Sequence, residues 1–330
     1  MRSFTYAKPA SAADAVRALA AAPEGRFLAG GTTLYDLMKL DVERPGALVD
    51  VTALPQMASV DASSPTEITF GALARMADAA EDPILRRDYP ALTEGLEKAA
   101  SQQLRNMATL GGNILQRTRC PYFRGGEPYA CNKRAPGSGC AAIGGLDRGH
   151  AVLGGSDACI AVYPGDWAVA LAAFDATVDV LGPNGARSIP MDALHREPGS
   201  TPAVETNLAH DELVLRIRVP KTPLGRASTY HKVRDRESYA FALASAAVAV
   251  RLEGGTVREA RIALGGLATR PWRAREAEAD LVGRPLNAET ARAAGDAALR
   301  GARAGRHNGF KIELGVRTVA DALLIAGTRA

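Results

Sequence analysis

From Leu115 to about Gly155 the sequence loses apolar periodicity and becomes rich in Arg, Cys, Gly and Pro. A structureless loop of that length inside a compact chain needs either a function or an internal staple. Cysteines are the staple on offer. Cys120, Cys131 and Cys140 lie inside the stretch, and Cys159, the last of the four in the chain, follows it. The spacing C-x10-C-x8-C-x18-C contains no C-x2-C pair, so it indicates neither a standard ferredoxin cluster nor a zinc knuckle. Zinc, an iron–sulfur cluster and free thiols stay open on these residues alone. The N-terminal region carries Lys8, Pro9, Asp14, Arg17 and Glu24 without an uninterrupted apolar core. No Sec-type signal or twin-Arg motif is read there, which makes a disulfide framework the less favoured use of the cysteines.

Charge singles out the same stretch. Between Leu115 and His150, six basic residues (Arg117, Arg119, Arg124, Lys133, Arg134, Arg148) face two acidic ones (Glu127, Asp147), which accounts for the whole formal net charge of +4. That balance is far from the dense basic face of a nucleic-acid binder, so no nucleic-acid partner is expected. The longest apolar-looking run, Ala240 to Val250, is too short to span a bilayer, and no membrane insertion is expected. With 330 residues, 47% of them apolar and 23% charged, the chain has the size of about two globular domains.

Around this segment the pattern alternates between strand and helix. Ser11 is placed to cap a helix to about Ala21; Arg26 to Ala29 reads as a strand, Leu34 to Leu40 as a helix and Ala47 to Val51 as a second strand, a β-α-β unit. A link from Pro55 to Pro65 leads to Ile68–Phe70 and helical patterns from Ala74 to about Gln103. Regular structure resumes at Trp167 to Val180, and Asp211 to Val219 is a strand ended by Pro220. Pro220 to Gly225 reads as a linker. Beyond it, Ala227–Val233, Ala240–Leu252 and Val257–Leu267 are expected as three strands, the last two joined at Glu253-Gly254-Gly255, and helices fill Arg273–Val282, Asn287–Arg303 and Gly315–Ala326. No internal repeat is found.

Two turns share one design, Gly30-Gly31-Thr32-Thr33 and Thr109-Leu110-Gly111-Gly112-Asn113. Glycines admit an anion close to the backbone, exposed N–H groups and hydroxyls donate to it, and a following helix start adds its dipole. Such a pair is able to hold one pyrophosphate from both sides, although most Gly-Gly pairs are plain turns. Neither turn has the G-x-G-x-x-G or G-x-x-x-x-G-K-[ST] spacing, which argues against a Rossmann site or a P-loop.

Phe27-Leu28-Ala29-Gly30-Gly31-Thr32-Thr33-Leu34, then Thr109-Leu110-Gly111-Gly112-Asn113, then Tyr163-Pro164-Gly165-Asp166, in that order and spacing, resemble the FAD-binding subunits of molybdenum hydroxylases of the xanthine dehydrogenase and CO dehydrogenase type. The resemblance covers essentially the whole chain. Gln116 to Phe123 and Lys232 to Ala240 look most like the flavoprotein subunit of bacterial aldehyde oxidoreductase of the periplasmic type. The implied fold is α+β: a PCMH/VAO-type FAD-binding domain over 1–222, in subdomains of about 1–55 and 56–222 with a cysteine-rich insertion at about 115–159, then a CO dehydrogenase flavoprotein-like C-terminal domain over 223–330, carrying a three-stranded antiparallel sheet with helices.

Carried over residue by residue, the resemblance implies that Phe27, Leu28, Ala29, Gly30, Gly31, Thr32, Thr33 and Leu34 wrap the FAD pyrophosphate and that Thr109, Gly112 and Asn113 close its other side. Asp166 matches an aspartate that binds the cofactor's polar chain, Val214 a position packing near the dinucleotide, and Lys232 a lysine near the flavin, where charge tunes the ring. The plain alternatives are a helix N-cap for Asp166 and a solvated strand residue for Lys232. It further implies a [4Fe–4S] cluster on Cys120, Cys131, Cys140 and Cys159. Four thiolates on such a core leave a net charge of −2 for the local basic excess to compensate; four thiolates on zinc leave the same, so charge does not separate the two metals.

The implied role is electron transfer. FAD collects electrons from a small subunit with two [2Fe–2S] clusters in a heterotrimer whose large molybdenum-cofactor subunit acts on an aldehyde, and passes them to an external acceptor. No Ser/His/Asp triad or paired-carboxylate motif is present, and His150, His195, His210, His231 and His307 are scattered, so no catalytic residue is assigned. The alternatives are the flavoprotein subunit of a 4-hydroxybenzoyl-CoA reductase, a self-sufficient FAD oxidoreductase with a structural zinc, and a colourless scaffold whose glycine turns are only turns. The expected location is the cytoplasm, or the periplasm by co-export with a signal-bearing partner.

Overall fold

Three β-sheets organise the chain, and the computed structural model describes residues 2–330. The first sheet is parallel, with Ala47–Asp50 between Thr5–Ala7 and Gly25–Leu28. Ser11 starts the helix Ala12–Ala20 by accepting the Asp14 N–H at 3.1 Å, and Ala15, Val16 and Leu19 form its buried stripe. The expected β-α-β unit is therefore present. Thr5–Ala7 adds an edge strand, three exposed residues with no alternation to read.

The second sheet is antiparallel and five-stranded, in the order Val60–Asp61, Glu67–Gly71, Leu213–Pro220, Thr177–Gly182, Gly185–Pro190. The last of these was not expected, because only Ile189 in it is buried and the strand lacks an apolar rhythm. Helical pattern from Ala74 to Gln103 resolves into four short helices, Met76–Glu81, Pro83–Asp88, Pro90–Glu97 and Gln102–Arg105. Pro83 and Pro90 each open a new helix, where the missing N–H costs nothing. Asp82 caps one of them, accepting from Ile84 and Leu85.

The third sheet corrects the expected three strands to four: Trp272–Arg273, Thr256–Gly265, Ala244–Glu253, Ser228–Val233. Trp272 and Arg273 pair with Leu264 and Ala263, a strand too short to announce itself. Gly254 and Gly255, at φ 58° and 79°, make the hairpin between the long strands, as the tight two-residue turn demands. Ala244–Val250 is buried throughout because both faces of this sheet are covered. Ala247, Ala249 and Ala263 join the core of the first two sheets, while Ala246, Val248 and Ile262 pack under the C-terminal helices.

Between the second and third sheets runs Trp167–Ala173, a helix with every residue buried. Trp167 stacks edge-on against Phe70, centroids 5.2 Å apart. The third sheet comes close to this helix because Gly265 carries no Cβ; one placed there would sit 2.6 Å from Val169. The C-terminal helices are Arg275–Leu281, Ala288–Ala298 and Phe310–Gly327, and among the described residues none is long and apolar enough to cross a membrane.

Candidate cofactor site

Strand Gly25–Leu28 ends at the first glycine turn, and helix Leu34–Lys39 leaves it. The two glycines serve different ends. A Cβ on Gly30 would collide with the carbonyl oxygen of Met107, whereas Gly31 sits at φ 73° with ordinary room around it. Gly30 therefore lets the first turn pack against the chain entering the second, and Gly31 supplies a left-handed bend. Among the described residues the amides of Gly31, Thr32 and Thr33 and the hydroxyls of Thr32 and Thr33 have no protein acceptor. That leaves a row of free donors.

Thr109 caps a five-residue helix, Leu110–Ile114, by accepting the Gly112 N–H at 3.3 Å. Leu110 and Gly111 donate to the carbonyls of Ala74 and Ala72, and Asn113 donates to Thr109. The amides of Leu110 to Asn113 are thus spent within the protein, while the amide and hydroxyl proton of Thr109, which lines the cavity, have no protein acceptor among the described residues.

Between the turns lies a cavity of about 760 Å³, within the range of small-molecule and cofactor sites. Phe27, Ala29, Gly30, Gly31, Thr32, Thr33 and Leu34 line it on one side, Thr109, Gly111 and Gly112 on another, and Val214 on a third. Free donors, two close-packed turns and this volume fit a dinucleotide. Leu28 lies behind Gly31 and does not line the cavity. Asn113 is buried beside it, its Nδ2 on the Met76 sulfur at 3.3 Å and its Oδ1 without a partner.

Asp166 and Lys232 are brought together with each other and do not line the cavity. Lys232 Nζ lies 2.9 Å from Asp166 Oδ2, and the Tyr230 hydroxyl donates to Asp166 Oδ1 at 2.5 Å. Neither plain alternative holds: Asp166 makes no capping bond, and the Lys232 side chain is 1% exposed. Burial raises the Asp166 carboxyl above its ordinary value, with Lys232 and Tyr230 opposing the rise. This buried pair ties the head of the helix Trp167–Ala173 to the strand Ser228–Val233.

Two cations of the basic segment, and two carboxylates without any sequence signal, complete the cavity. Arg117 binds Glu43 and, at 2.6 Å, Glu205; Lys133 reaches Glu205 at 2.8 Å. Burial favours the neutral form of Glu205, but Arg117 and Lys133 outweigh it and hold its carboxyl below the usual range. All four side chains line the cavity.

The cysteine segment is knitted by hydrogen bonds around its thiols. Asn132 accepts the Gly139 N–H at 2.9 Å and donates to the Ala158 carbonyl at 3.0 Å, so the residue after Cys131 holds the residues before Cys140 and Cys159. Cys131 and Cys140 face each other as an antiparallel bridge. Thr118 accepts from the Cys120 amide and donates to the Val162 carbonyl, which anchors Cys120 to the chain just after Cys159. All four thiols are free. Burial pushes Cys120 up to about 11, with Cys131 and Cys159 adding to the rise, and raises Cys159, to which Cys140 and Cys131 contribute. Backbone amides also reach the sulfurs, Tyr122 and Phe123 toward Cys120 and Ala161 to Cys159 at 3.4 Å.

Amides directed at sulfur suit a thiolate cluster. Among the described residues no three His, Cys, Asp or Glu side chains close tightly enough for a single metal ion. His150 is buried, with Nε2 3.2 Å from the Cys120 sulfur.

The local charge excess is corrected by the fold. Arg117 and Lys133 share Glu43 and Glu205, Arg124 binds Asp36 and Arg148 binds Asp235. Only Arg119 and Arg134 among these cations lack a carboxylate. Arg134 donates to the carbonyls of Tyr122, Phe123, Gly126 and Tyr129, a fixed charge inside the cysteine segment.

Residues 2–222 match the family model described as the FAD binding domain in molybdopterin dehydrogenase, and residues 228–325 the CO dehydrogenase flavoprotein C-terminal domain. Among curated proteins, the chain is 44% identical to the aldehyde oxidoreductase FAD-binding subunit PaoB of Escherichia coli (strain K12), over 100% of both chains. It is 28% identical to the carbon monoxide dehydrogenase medium chain of Hydrogenophaga pseudoflava, over 90% of this chain and 86% of that one. Among solved structures, a carbon monoxide dehydrogenase from Hydrogenophaga pseudoflava lacking the Mo-pyranopterin moiety superposes with a TM-score of 0.77 at 28% identity, covering 100% of this chain and 99% of that one.

Proposed function

The chain belongs to the FAD-binding medium subunits of the xanthine and CO dehydrogenase family of molybdenum hydroxylases, and from that premise we propose that it is the FAD and [4Fe–4S] electron-transfer subunit of an aldehyde oxidoreductase. The observation that carries the flavin part is the cavity between two close-packed glycine turns with free donors at Gly31, Thr32 and Thr33. Held in this cavity, FAD would supply two-electron redox chemistry, linking a [2Fe–2S] partner subunit to an external acceptor. The chain's own residues would hold the cofactor, with Leu34 and Val214 contributing apolar wall to the cavity, and leave the aldehyde to a molybdenum-bearing large subunit. The similarity to PaoB over the whole chain supports the aldehyde substrate.

Cys120, Cys131, Cys140 and Cys159 would hold the cluster. Supporting this are four free thiols, three of them tied together at their neighbours by Asn132 and the fourth, Cys120, held through Thr118, together with amides directed at sulfur and the fixed charge of Arg134. Such a charge beside a thiolate cluster raises its reduction potential. The test is Cys131→Ser, followed by iron content and the low-temperature EPR spectrum of the reduced protein. Loss of iron with flavin retained supports the assignment. Unchanged iron, or zinc in place of iron in the wild type, refutes it.

A further inference from the structure

The cysteine segment reaches the flavin cavity itself. Its Phe123 and Cys131 close over Leu37, on the helix leaving the first glycine turn, and Arg124 holds Asp36 on that same helix at 2.7 and 3.2 Å. Arg117, Lys133 and Arg134 from the segment line the cavity together with Arg26. These four cations face two carboxylates, Glu43 and Glu205, since the third lining carboxylate, Glu212, is tied to Arg187 outside the cavity. The wall thus carries two positive charges in excess, and a dinucleotide pyrophosphate carries two negative ones.

Three of the four cations are committed or exposed. Arg134 is spent on backbone carbonyls. Arg117 is spent on Glu43 and Glu205 and lies over the Phe123 ring. Arg26 donates to its neighbour's carbonyl, and its side chain is 45% exposed. Lys133 is different. Its ammonium has three donors, of which Glu205 takes one at 2.8 Å and the Pro202 carbonyl another at 3.1 Å. The third has no protein partner among the described residues, while the side chain is 11% exposed. Glu205 keeps Arg117 if Lys133 is lost, so the lysine is not needed to neutralise it.

We infer that Lys133 is a cofactor-binding residue contributed by the cysteine segment, its free donor recognising the pyrophosphate of the dinucleotide alongside the amides of Gly31 and Thr32. The inference rests on the FAD reading above and adds to it that the cysteine segment is part of the flavin site.

The test uses the full chain, stripped of flavin in concentrated chaotropic salt and titrated with FAD by quenching of flavin fluorescence. Riboflavin, which carries the ring without phosphate, is titrated the same way, and ADP, which carries the diphosphate without the ring, by isothermal titration calorimetry. Lys133→Met is expected to weaken FAD and ADP by a common factor of roughly ten or more, the scale of one charge-assisted hydrogen bond. Riboflavin binding stays unchanged, Lys133→Arg restores most of the affinity, and iron content stays at the wild-type level. FAD binding by Lys133→Met within about twofold of wild type overturns the inference, as does a loss that Lys133→Arg does not restore or that spares ADP. A wild-type chain that takes up no FAD overturns the reading beneath it as well.

Discussion

Replacing Gly30 with alanine tests whether the two turns must touch for the flavin site to exist. The added methyl would meet the carbonyl oxygen of Met107 and, at 2.9 and 3.2 Å, the Met107 carbonyl carbon and the Ala108 Cα, all backbone atoms. Backbone cannot rotate away as a side chain can, so the two turns must separate. Overpacking of this kind costs about 1–3 kcal/mol, and the displaced chain leads straight into Thr109 and Gly112 on the cavity wall. Cofactor affinity is expected to fall by roughly tenfold to a hundredfold, the equivalent of about 1.4–2.8 kcal/mol, with a melting temperature lower by about 2–4 °C for each kcal/mol. Gly31→Ala is the control. Its methyl has ordinary contacts at 3.6 and 4.0 Å, but the φ of 73° makes it strained by about 1–2 kcal/mol. Asparagine tolerates that region, so Gly31→Asn should melt above Gly31→Ala, whereas Gly30→Asn should recover nothing over Gly30→Ala. Fluorescence titration with FAD and differential scanning calorimetry of the apo chain read both quantities. Wild-type FAD affinity in Gly30→Ala, or equal rescue by asparagine at both positions, refutes the division of labour between the glycines.

Phe123 is fully buried over Leu37; Phe123→Ala should cost about 3–5 kcal/mol in chemical denaturation and open residues 115–159 to limited proteolysis. Asn132→Ala removes the bonds to Gly139 and Ala158, each worth about 1 kcal/mol, and should lower bound iron while leaving FAD in place. Asp179 is held by Arg216 and Arg218, at 2.7 and 2.9 Å, and by Ser188, which together overcome burial and bring its carboxyl down to about 2. Its folded value lies below the ordinary 3.8, so the unfolded chain takes the proton first. It contributes about 2 kcal/mol above that value, lost as the pH falls toward about 2. Acid titrations of stability should flatten over that window in Asp179→Asn.

What the sequence makes legible is local. Ser11, the glycine turns and the Gly254-Gly255 hairpin announce themselves because their residue types answer to backbone geometry within a few positions. The aperiodic cysteine segment is legible as a stapled loop for the same reason. Its electrostatics are not, because Arg117 finds its carboxylates at Glu43 and Glu205 and Arg124 finds Asp36, partners far away along the chain. A basic excess counted along the sequence thus becomes a set of ion pairs with two unpaired arginines. Gly30 shows the opposite limit: its place in the turn is visible, but its reason, the carbonyl of Met107, belongs to another turn. Trp272–Arg273 escaped because two residues carry no periodicity, and the pairing of Asp166 with Lys232, each singled out separately, escaped because a buried ion pair leaves no pattern along the chain.

Whether the chain carries both a flavin and a cluster is decided by anaerobic purification of the full chain, with FAD, iron, acid-labile sulfide and zinc measured on the same sample and an absorbance spectrum recorded before and after reduction. The expected result is one FAD and about four irons with matching sulfide per chain, and a spectrum in which flavin and iron–sulfur absorbance both bleach on reduction. A colourless protein, or a yellow one holding zinc and no iron, contradicts it.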